Sequence, residues 1–174
     1  TYLAVLFFDA LKQAGANATA LPFYCSPFMA EEELLKKCNF PGGIFHAFVP
    51  WFSSIENEQQ QSFAGILKEQ DRSPNLFSLL GWEAAILLRQ IQASGVSSLK
   101  GWSFESPRGT VNIHPQTHHT YAPLYHGMIV GDENGKCTWQ YHETIEADAT
   151  THLRYLIAGA DYMASGWKNN YFCI

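Results

Sequence analysis

The segment "IFHAFVPWF" (residues 44–52) decides how the first part of the chain is interpreted. It is rich in aromatic and β-branched residues, which favours a buried β-strand. A second short strand is predicted at "LPFYCS" (21–26). Helical patterns surround both strands: "TYLAVLFFDALKQAG" (1–15), "MAEEELLKKC" (29–38) and "SSIENEQQQSFAGILKEQ" (53–70). This alternation predicts an α/β fold in which crossover helices join parallel strands.

The second part of the chain changes in character. "LFSLLGWEAAILLRQIQASG" (76–95) predicts a long helix that ends at Gly95 and, being nearly all apolar, is buried on most faces. The runs "YAPLYHGMIV" and "CTWQYHE" flank the turn-forming residues "GDENGK", and together (121–143) they predict a β-hairpin. One more short helix is predicted in the tail. In the helix at 53–70, Ser54 is the expected N-cap.

Composition limits the possible classes of protein. The 174 residues are 47% hydrophobic and 16% charged, which is typical of a globular chain. A net charge of −5 offers no basic surface for nucleic acid. The apolar runs are too short for a membrane span.

Four cysteines are present, at positions 25, 38, 137 and 173, and none forms a CxxC pair. Buried free thiols are the favoured interpretation. The alternative is a disulfide, for which Cys137 with Cys173 is the expected pairing.

The opening residues lie inside an amphipathic helical pattern, with no loop before it. We therefore expect the chain to be a piece of a longer protein. The count of strands leads to the same expectation, because two parallel strands cannot by themselves form a stable doubly wound sheet.

Three histidines lie close together in "SPRGTVNIHPQTHHTYAPLY" (residues 106–125): His114, His118 and His119. Imidazoles are zinc ligands, so a small metal-dependent hydrolase is one hypothesis. However, neighbouring side chains on an extended strand point to opposite faces, which is poor geometry for one metal ion. No HExxH-type helix or nucleophile elbow accompanies the cluster. A polar turn before a strand is the preferred interpretation.

Taken in order, these segments resemble the C-terminal half of a type I periplasmic binding protein. The most specific are "GWEAAILL" (81–88), "SPRGTVNIHPQTHHT" (106–120) and "SGWKNNYFC" (165–173). The nearest relatives would be the extracellular solute receptors of branched-chain amino acid, amide and urea ABC transporters. The resemblance implies Rossmann-like lobes, each a parallel sheet flanked by helices, that close over a solute. It also implies that this chain is truncated at the N-terminus.

The resemblance divides the chain between two lobes. Residues 1–75 would belong to the second lobe and residues 76–116 would return to the first. Residues 117–142 would form a hairpin associated with the second lobe or the hinge, and residues 143–174 a C-terminal tail. With much of the first lobe missing, we expect the isolated fragment to bind ligand weakly or not at all, and to form dimers through exposed edges and apolar surface.

Five residues are candidates for contact with the solute. Glu31 or Glu32, at a helix start after a strand, resembles a second-lobe acid that faces a ligand ammonium group. Trp51 and Phe52 follow the next strand, where aromatic faces suit a solute. Trp82 matches an aromatic near the start of a first-lobe helix. The alternatives are helix-dipole complementarity for the acids and core packing for the aromatics.

The expected function is therefore that of the substrate-binding component of an ABC transporter, which captures a branched-chain amino acid, short amide or urea. Its partners would be the solute and a membrane permease, with no nucleic acid. No catalytic residue, metal or cofactor is expected. The location would be periplasmic or extracellular, with a lipid-anchored or secreted protein. A ligand-sensing regulator of the same fold is the alternative.

Glu83, beside Trp82, would hydrogen-bond across the cleft or act as a cap.

Overall fold

A computed structural model describes residues 2–15 and 22–164 of the chain. Its helices are α1 (Tyr2–Gln13), α2 (Glu32–Leu35), α3 (Glu58–Glu69), α4 (Leu76–Ser94) and α5 (Ala149–Ala164). Its strands are β1 (Phe23–Cys25), β2 (Phe45–Val49), β3 (Ser103–Ser106), β4 (Gly109–Ile113), β5 (Thr120–Tyr121), β6 (Leu124–Gly131) and β7 (Cys137–Ile145).

The larger sheet has four strands in the order β1-β2-β6-β7. β1 and β2 are parallel, which confirms the crossover inferred from their alternation with helices. The predicted hairpin is also confirmed as β6 and β7, and it adds antiparallel to β2, with Phe45 opposite Ile129. A separate antiparallel sheet has three strands in the order β3-β4-β5. The α/β class is therefore correct, with an antiparallel hairpin extending a parallel pair.

One face of the larger sheet packs against α1 and α2 and forms the main core. Phe45 is fully buried at its centre. Its ring lies 5.0 Å from that of Phe23, 5.5 Å from that of Phe8 and 6.1 Å from that of Phe40. Aromatic contacts at such distances add to the stabilisation from burial. The opposite face carries Tyr24, which is 70% exposed.

The prediction that α4 is buried on most faces is wrong. Phe77, Leu80 and Leu88 are exposed on it, whereas Leu79 and Glu83 are buried. The reason is that, among the residues that the structure describes, α4 packs on one side, where its Ile86 and Leu87 contact the small core of the three-stranded sheet. Its end at Gly95 is confirmed, since the Gly95 N–H donates to the Ile91 carbonyl. Within the described ranges, no helix is long and apolar enough to cross a membrane.

Two other local predictions need correction. The helix predicted at 29–38 is reduced to a 3₁₀ turn and the single turn of α2, because the chain that follows bridges to the hairpin through Asn39 and Lys136. The N-cap of α3 is Asn57 rather than Ser54. The Asn57 side chain accepts a hydrogen bond from the Gln60 N–H at 2.7 Å, which satisfies a free donor at the helix start.

Three of the cysteines are described, and all three are free thiols. Cys38 and Cys137 are buried in the main core, and the Cys38 thiol donates to the Leu34 carbonyl at 3.3 Å. Burial raises the pKa of Cys137 to about 12. Cys173, the partner expected for a disulfide with Cys137, lies outside the described residues.

The buried thiols of Cys38 and Cys137 are expected to resist alkylation in the native protein. At pH 8 the Cys137 thiol, with a pKa of about 12, remains protonated, and alkylation requires the thiolate. Brief treatment with iodoacetamide should therefore leave Cys38 and Cys137 unmodified, whereas the same treatment in urea should modify both. Peptide mass spectrometry measures each site. Rapid native modification of Cys137 would contradict its buried position.

Candidate functional site

A small pocket lies beyond the carboxyl ends of the two parallel strands. In α/β sheets, ligands bind at this edge. The pocket has a volume of about 40 Å³. Four parts of the chain line it: the 3₁₀ turn and the start of α2, the end of β2 with the segment after it, the start of α4, and one residue of β7. In the same order, these are residues 27–28 and 30–33, residues 49–52, residues 74–76, and Trp139. The structure thus brings Glu31, Glu32, Trp51 and Phe52 together.

The carboxylates at the start of α2 are in three different states. Glu33 is exposed and forms an ion pair with Lys36 at 2.6 Å, and this hydrogen bond lowers the pKa of Glu33. Glu32 accepts a hydrogen bond from the Ser53 N–H at 2.9 Å through one oxygen. Glu31 is half-buried, and its carboxylate has no hydrogen bond or ion pair within the described residues. Glu31 is therefore the carboxylate best placed to accept from a ligand.

The aromatic residues after β2 are held in fixed positions. The Trp51 indole N–H donates to the Gln60 side-chain oxygen at 2.9 Å. The Gln60 amide in turn donates to the Ser53 carbonyl, also at 2.9 Å, and Gln60 itself is buried. The Phe52 ring lies 4.8 Å from the Trp139 ring. A wall fixed in this way loses little conformational entropy when a ligand binds.

The hairpin residue Trp139 was not predicted from the sequence as part of the site. It reaches the pocket from β7, the strand farthest from β1 in the sheet. Its buried indole N–H has no acceptor among the residues that the structure describes. A lone tryptophan in a strand gives no signal of this placement, because only the sheet order brings it to the pocket.

The overall architecture matches solved structures. A solute-binding protein of an ABC transporter from Rhodopseudomonas palustris HaA2, solved with p-hydroxybenzoic acid, has a TM-score of 0.67 at 19% identity, over 83% of this chain and 42% of that chain. An ABC transporter substrate-binding protein from Sphaerobacter thermophilus has a TM-score of 0.69 at 13% identity. The match covers 84% of this chain and 42% of that chain. A third match is the leucine-, isoleucine-, valine-, threonine- and alanine-binding protein from Brucella ovis in a closed conformation, with a TM-score of 0.63 at 13% identity. This match covers 84% of this chain and 41% of that chain.

The chain has the type I periplasmic binding protein fold. The fold predicted from the order of its motifs is thus confirmed. The chain spans about two fifths of the length of these solved structures, since 41–42% of each is covered. No protein-family model and no curated protein matches the sequence.

Within this fold Trp82 does not line the pocket that contains Glu31. It lies on α4 and contacts Phe63 of α3, with ring centroids 5.6 Å apart. It borders a wider depression between α4 and the three-stranded sheet, together with Trp102 and Glu105. Its buried indole N–H finds no acceptor in the described part of the chain.

Glu83 does not act as a cap, because it lies in the middle of α4, where it is buried. Arg108 binds it with two hydrogen bonds, from Nε to Oε1 at 2.6 Å and from Nη2 to Oε2 at 2.8 Å. The Ser106 hydroxyl donates to Oε1 at 2.7 Å. The Tyr125 hydroxyl donates to the Arg108 carbonyl at 3.0 Å, so β6 is also bound to this turn. A single acid within an apolar helix was the only sequence signal of this buried pair.

The histidines at 114–119 form the polar turn that was predicted. His114 is buried, and its Nδ1 accepts hydrogen bonds from the backbone N–H groups of Gln116 and Thr117 at 3.3 Å each. His118 has a φ of 58°, so it belongs to a turn and not to a strand. The ligand atoms of His114, His118 and His119 do not converge within 4.8 Å of one another. The geometry gives no support to a hydrolase that uses these three residues.

Proposed function

We propose that this chain is part of the solute-binding component of an ABC importer and that its partner is a membrane permease. The observation that carries the proposal is the pocket at the carboxyl edge of the parallel strands, where a carboxylate without a partner in the described residues, Glu31, lies beside fixed aromatic rings. The names of the solved neighbours, all transport-related binding proteins, support it. The activity is binding without chemistry, in a periplasmic or extracellular protein that is lipid-anchored or secreted.

The pocket forms one wall of the binding site. Its volume of about 40 Å³ has room for roughly three water molecules. An amino acid needs more space, so the solute must be enclosed between this wall and a facing one that opens and closes. We assign residues 1–75 and the hairpin 117–142 to one lobe, residues 76–116 to the other, and residues 143–174 to a tail. Trp82 is then a candidate contact of the other lobe.

The groups that line the pocket favour a solute with N–H donors. The Glu31 carboxylate and the second oxygen of the Glu32 carboxylate are hydrogen-bond acceptors, and both carboxylates carry negative charge. An ammonium, amide or urea N–H would satisfy them, while Phe52 and Trp51 would contact apolar atoms. An aromatic acid would bring its own carboxylate towards Glu31, which is unfavourable. We therefore infer that the solute is a branched-chain amino acid, a short amide or urea.

The substrate class is tested with the protein expressed from its complete reading frame. Thermal-shift and calorimetric titrations would use leucine, valine, acetamide, urea and 4-hydroxybenzoate. At a hundred times its dissociation constant, the true ligand should stabilise the protein by about 2.7 kcal/mol. Failure of every solute would count against the function. Tighter binding of 4-hydroxybenzoate would overturn the N–H-donor class and leave the binding function in place.

Glu31→Gln is expected to weaken binding of a cationic or N–H-bearing solute by about tenfold, which corresponds to about 1.4 kcal/mol. The amide keeps the size of the side chain and removes its charge, so the change reports on charge alone. Glu33→Gln is the matched control, because Glu33 lines the same pocket but is paired with Lys36. Its affinity should stay within about twofold of the unmodified protein. Equal losses in both variants would show a general charge effect and refute the assignment of Glu31.

A further inference from the structure

The β6–β7 hairpin contains an irregularity that places unusual side chains together. Along most of the hairpin the residues pair in regular register, down to Gly127 opposite Tyr141. The next pair is His126 with Glu143, so His142 is an extra residue on β7. Such a β-bulge changes the direction of the side chains beside it. In a regular strand His142 and Glu143 would point to opposite faces of the sheet.

The bulge brings both of these side chains to His126. The Glu143 carboxylate oxygen Oε1 is 3.0 Å from Nδ1 of His126. The His142 ring is nearly perpendicular to the His126 ring, with centroids 5.5 Å apart. One ligand atom from each of the three residues lies within 4.8 Å of the other two. In a tetrahedral zinc site with bonds of about 2.0–2.1 Å, ligand atoms are about 3.3 Å apart, so small side-chain movements suffice to bind one ion.

A fourth residue fixes the orientation of His126. Nδ1 of His46, on the neighbouring strand β2, is 3.0 Å from Nε2 of His126. With Nδ1 of His126 on a metal ion, its Nε2–H donates to His46. Metal-bound histidines commonly have such a partner for the second ring nitrogen, and it fixes the tautomer. The His126 side chain is 13% exposed, whereas Glu143 is 57% exposed, so an ion can reach the group from the solvent side.

We propose that His126, His142 and Glu143 bind a divalent transition-metal ion, with zinc as the class that fits best. Two imidazoles and one carboxylate are a ligand set that zinc uses, with water in the fourth position. Magnesium and calcium prefer oxygen ligands and are excluded by the two nitrogens. The site is separate from the solute pocket, because His126 and Glu143 lie on the opposite face of the sheet from Tyr125 and Trp139.

The test is calorimetry with zinc chloride on the protein expressed from its complete reading frame, after chelator treatment and removal of the chelator. His142→Ala and Glu143→Gln are each expected to weaken zinc binding by about 100-fold, since loss of even an outer partner costs 10–100-fold. Both side chains are exposed, so the variants should keep the fold, which circular dichroism checks. The matched controls are His119→Ala, an exposed histidine elsewhere, and Glu133→Gln, an exposed acid in the turn of the same hairpin.

Cobalt(II) provides a second readout, which reports the coordination geometry of the bound ion. Bound to the unmodified protein, it should give visible absorption bands of a four-coordinate site, and His142→Ala should remove them. Replacing His46 by Phe keeps an aromatic ring and is expected to weaken zinc binding by about tenfold. The proposal is overturned if the unmodified protein binds no zinc, if neither His142→Ala nor Glu143→Gln changes the affinity, or if His119→Ala abolishes binding.

Discussion

Arg108→Met is expected to lower the free energy of unfolding by about 3–5 kcal/mol. The Arg108 and Glu83 side chains are only 14% and 8% exposed, so neither charge is well solvated by water. Removal of the guanidinium leaves the Glu83 carboxylate buried with the Ser106 hydroxyl as its remaining hydrogen-bond partner among the described residues. The cost of this change is the cost of an uncompensated buried charge. Urea denaturation followed by circular dichroism measures it.

A second variant separates the charge from the packing. In Glu83→Leu/Arg108→Met both charges are replaced by apolar groups of similar size, which should recover most of the lost stability. The exposed pair Lys36–Glu33 supplies the control, where Glu33→Gln should cost at most about 1 kcal/mol. A loss below about 1 kcal/mol in Arg108→Met would show that the pair is more solvated than the structure indicates.

Gly127→Ala is expected to destabilise the protein by about 3 kcal/mol, because no space exists for a methyl group. An added Cβ would lie 2.4 Å from the Gln140 carbonyl oxygen and 2.4 Å from an atom of the Trp139 ring. The carbonyl belongs to the backbone of the paired strand, so it cannot move without disturbing the hairpin. This position also adjoins the bulge at His126, so a shift here would disturb the proposed metal ligands.

Gly81→Ala is the matched control for Gly127→Ala. Gly81 lies inside α4, and an added Cβ would meet no atom within 4 Å. Alanine is the better helix former, so this variant should gain roughly 0.5–1 kcal/mol. The same chemical change should thus have opposite effects at the two sites in urea denaturation. Similar stabilities for the two variants would contradict the close packing of Trp139 over Gly127.

Element type was largely predictable because it depends on local pattern. Three correct predictions depended on signals that span only a few neighbouring residues: the apolar spacing of α1, the end of α4 at Gly95, and the turn residues between β6 and β7. Errors arose where distant contacts override that pattern. The helix at 29–38 was predicted too long because the bridge between Asn39 and Lys136 draws the chain towards the sheet. The burial of α4 was overestimated because composition does not show how many sides of a helix have a neighbour.

The candidate site was predictable in part for the same reason. Glu31, Glu32, Trp51 and Phe52 each follow a strand, and the ends of parallel strands meet at one edge of a sheet, so their convergence follows from order along the chain. Trp139 comes from an antiparallel hairpin whose place in the sheet no local pattern specifies. The roles of the three acids also differ only through their neighbours, since Glu33 is paired and Glu31 is not paired within the described residues.

The α/β class, the parallel pair, the hairpin and the histidine turn could all be predicted from the amino-acid sequence. Periodicity and turn chemistry are encoded in neighbouring residues, and the order of the motifs led to the type I fold. Tertiary contacts were needed to show that Arg108 neutralises Glu83 and that the extra residue at His142 brings the three proposed metal ligands together. Both depend on which distant residues face each other, and packing and strand register set this over the whole chain.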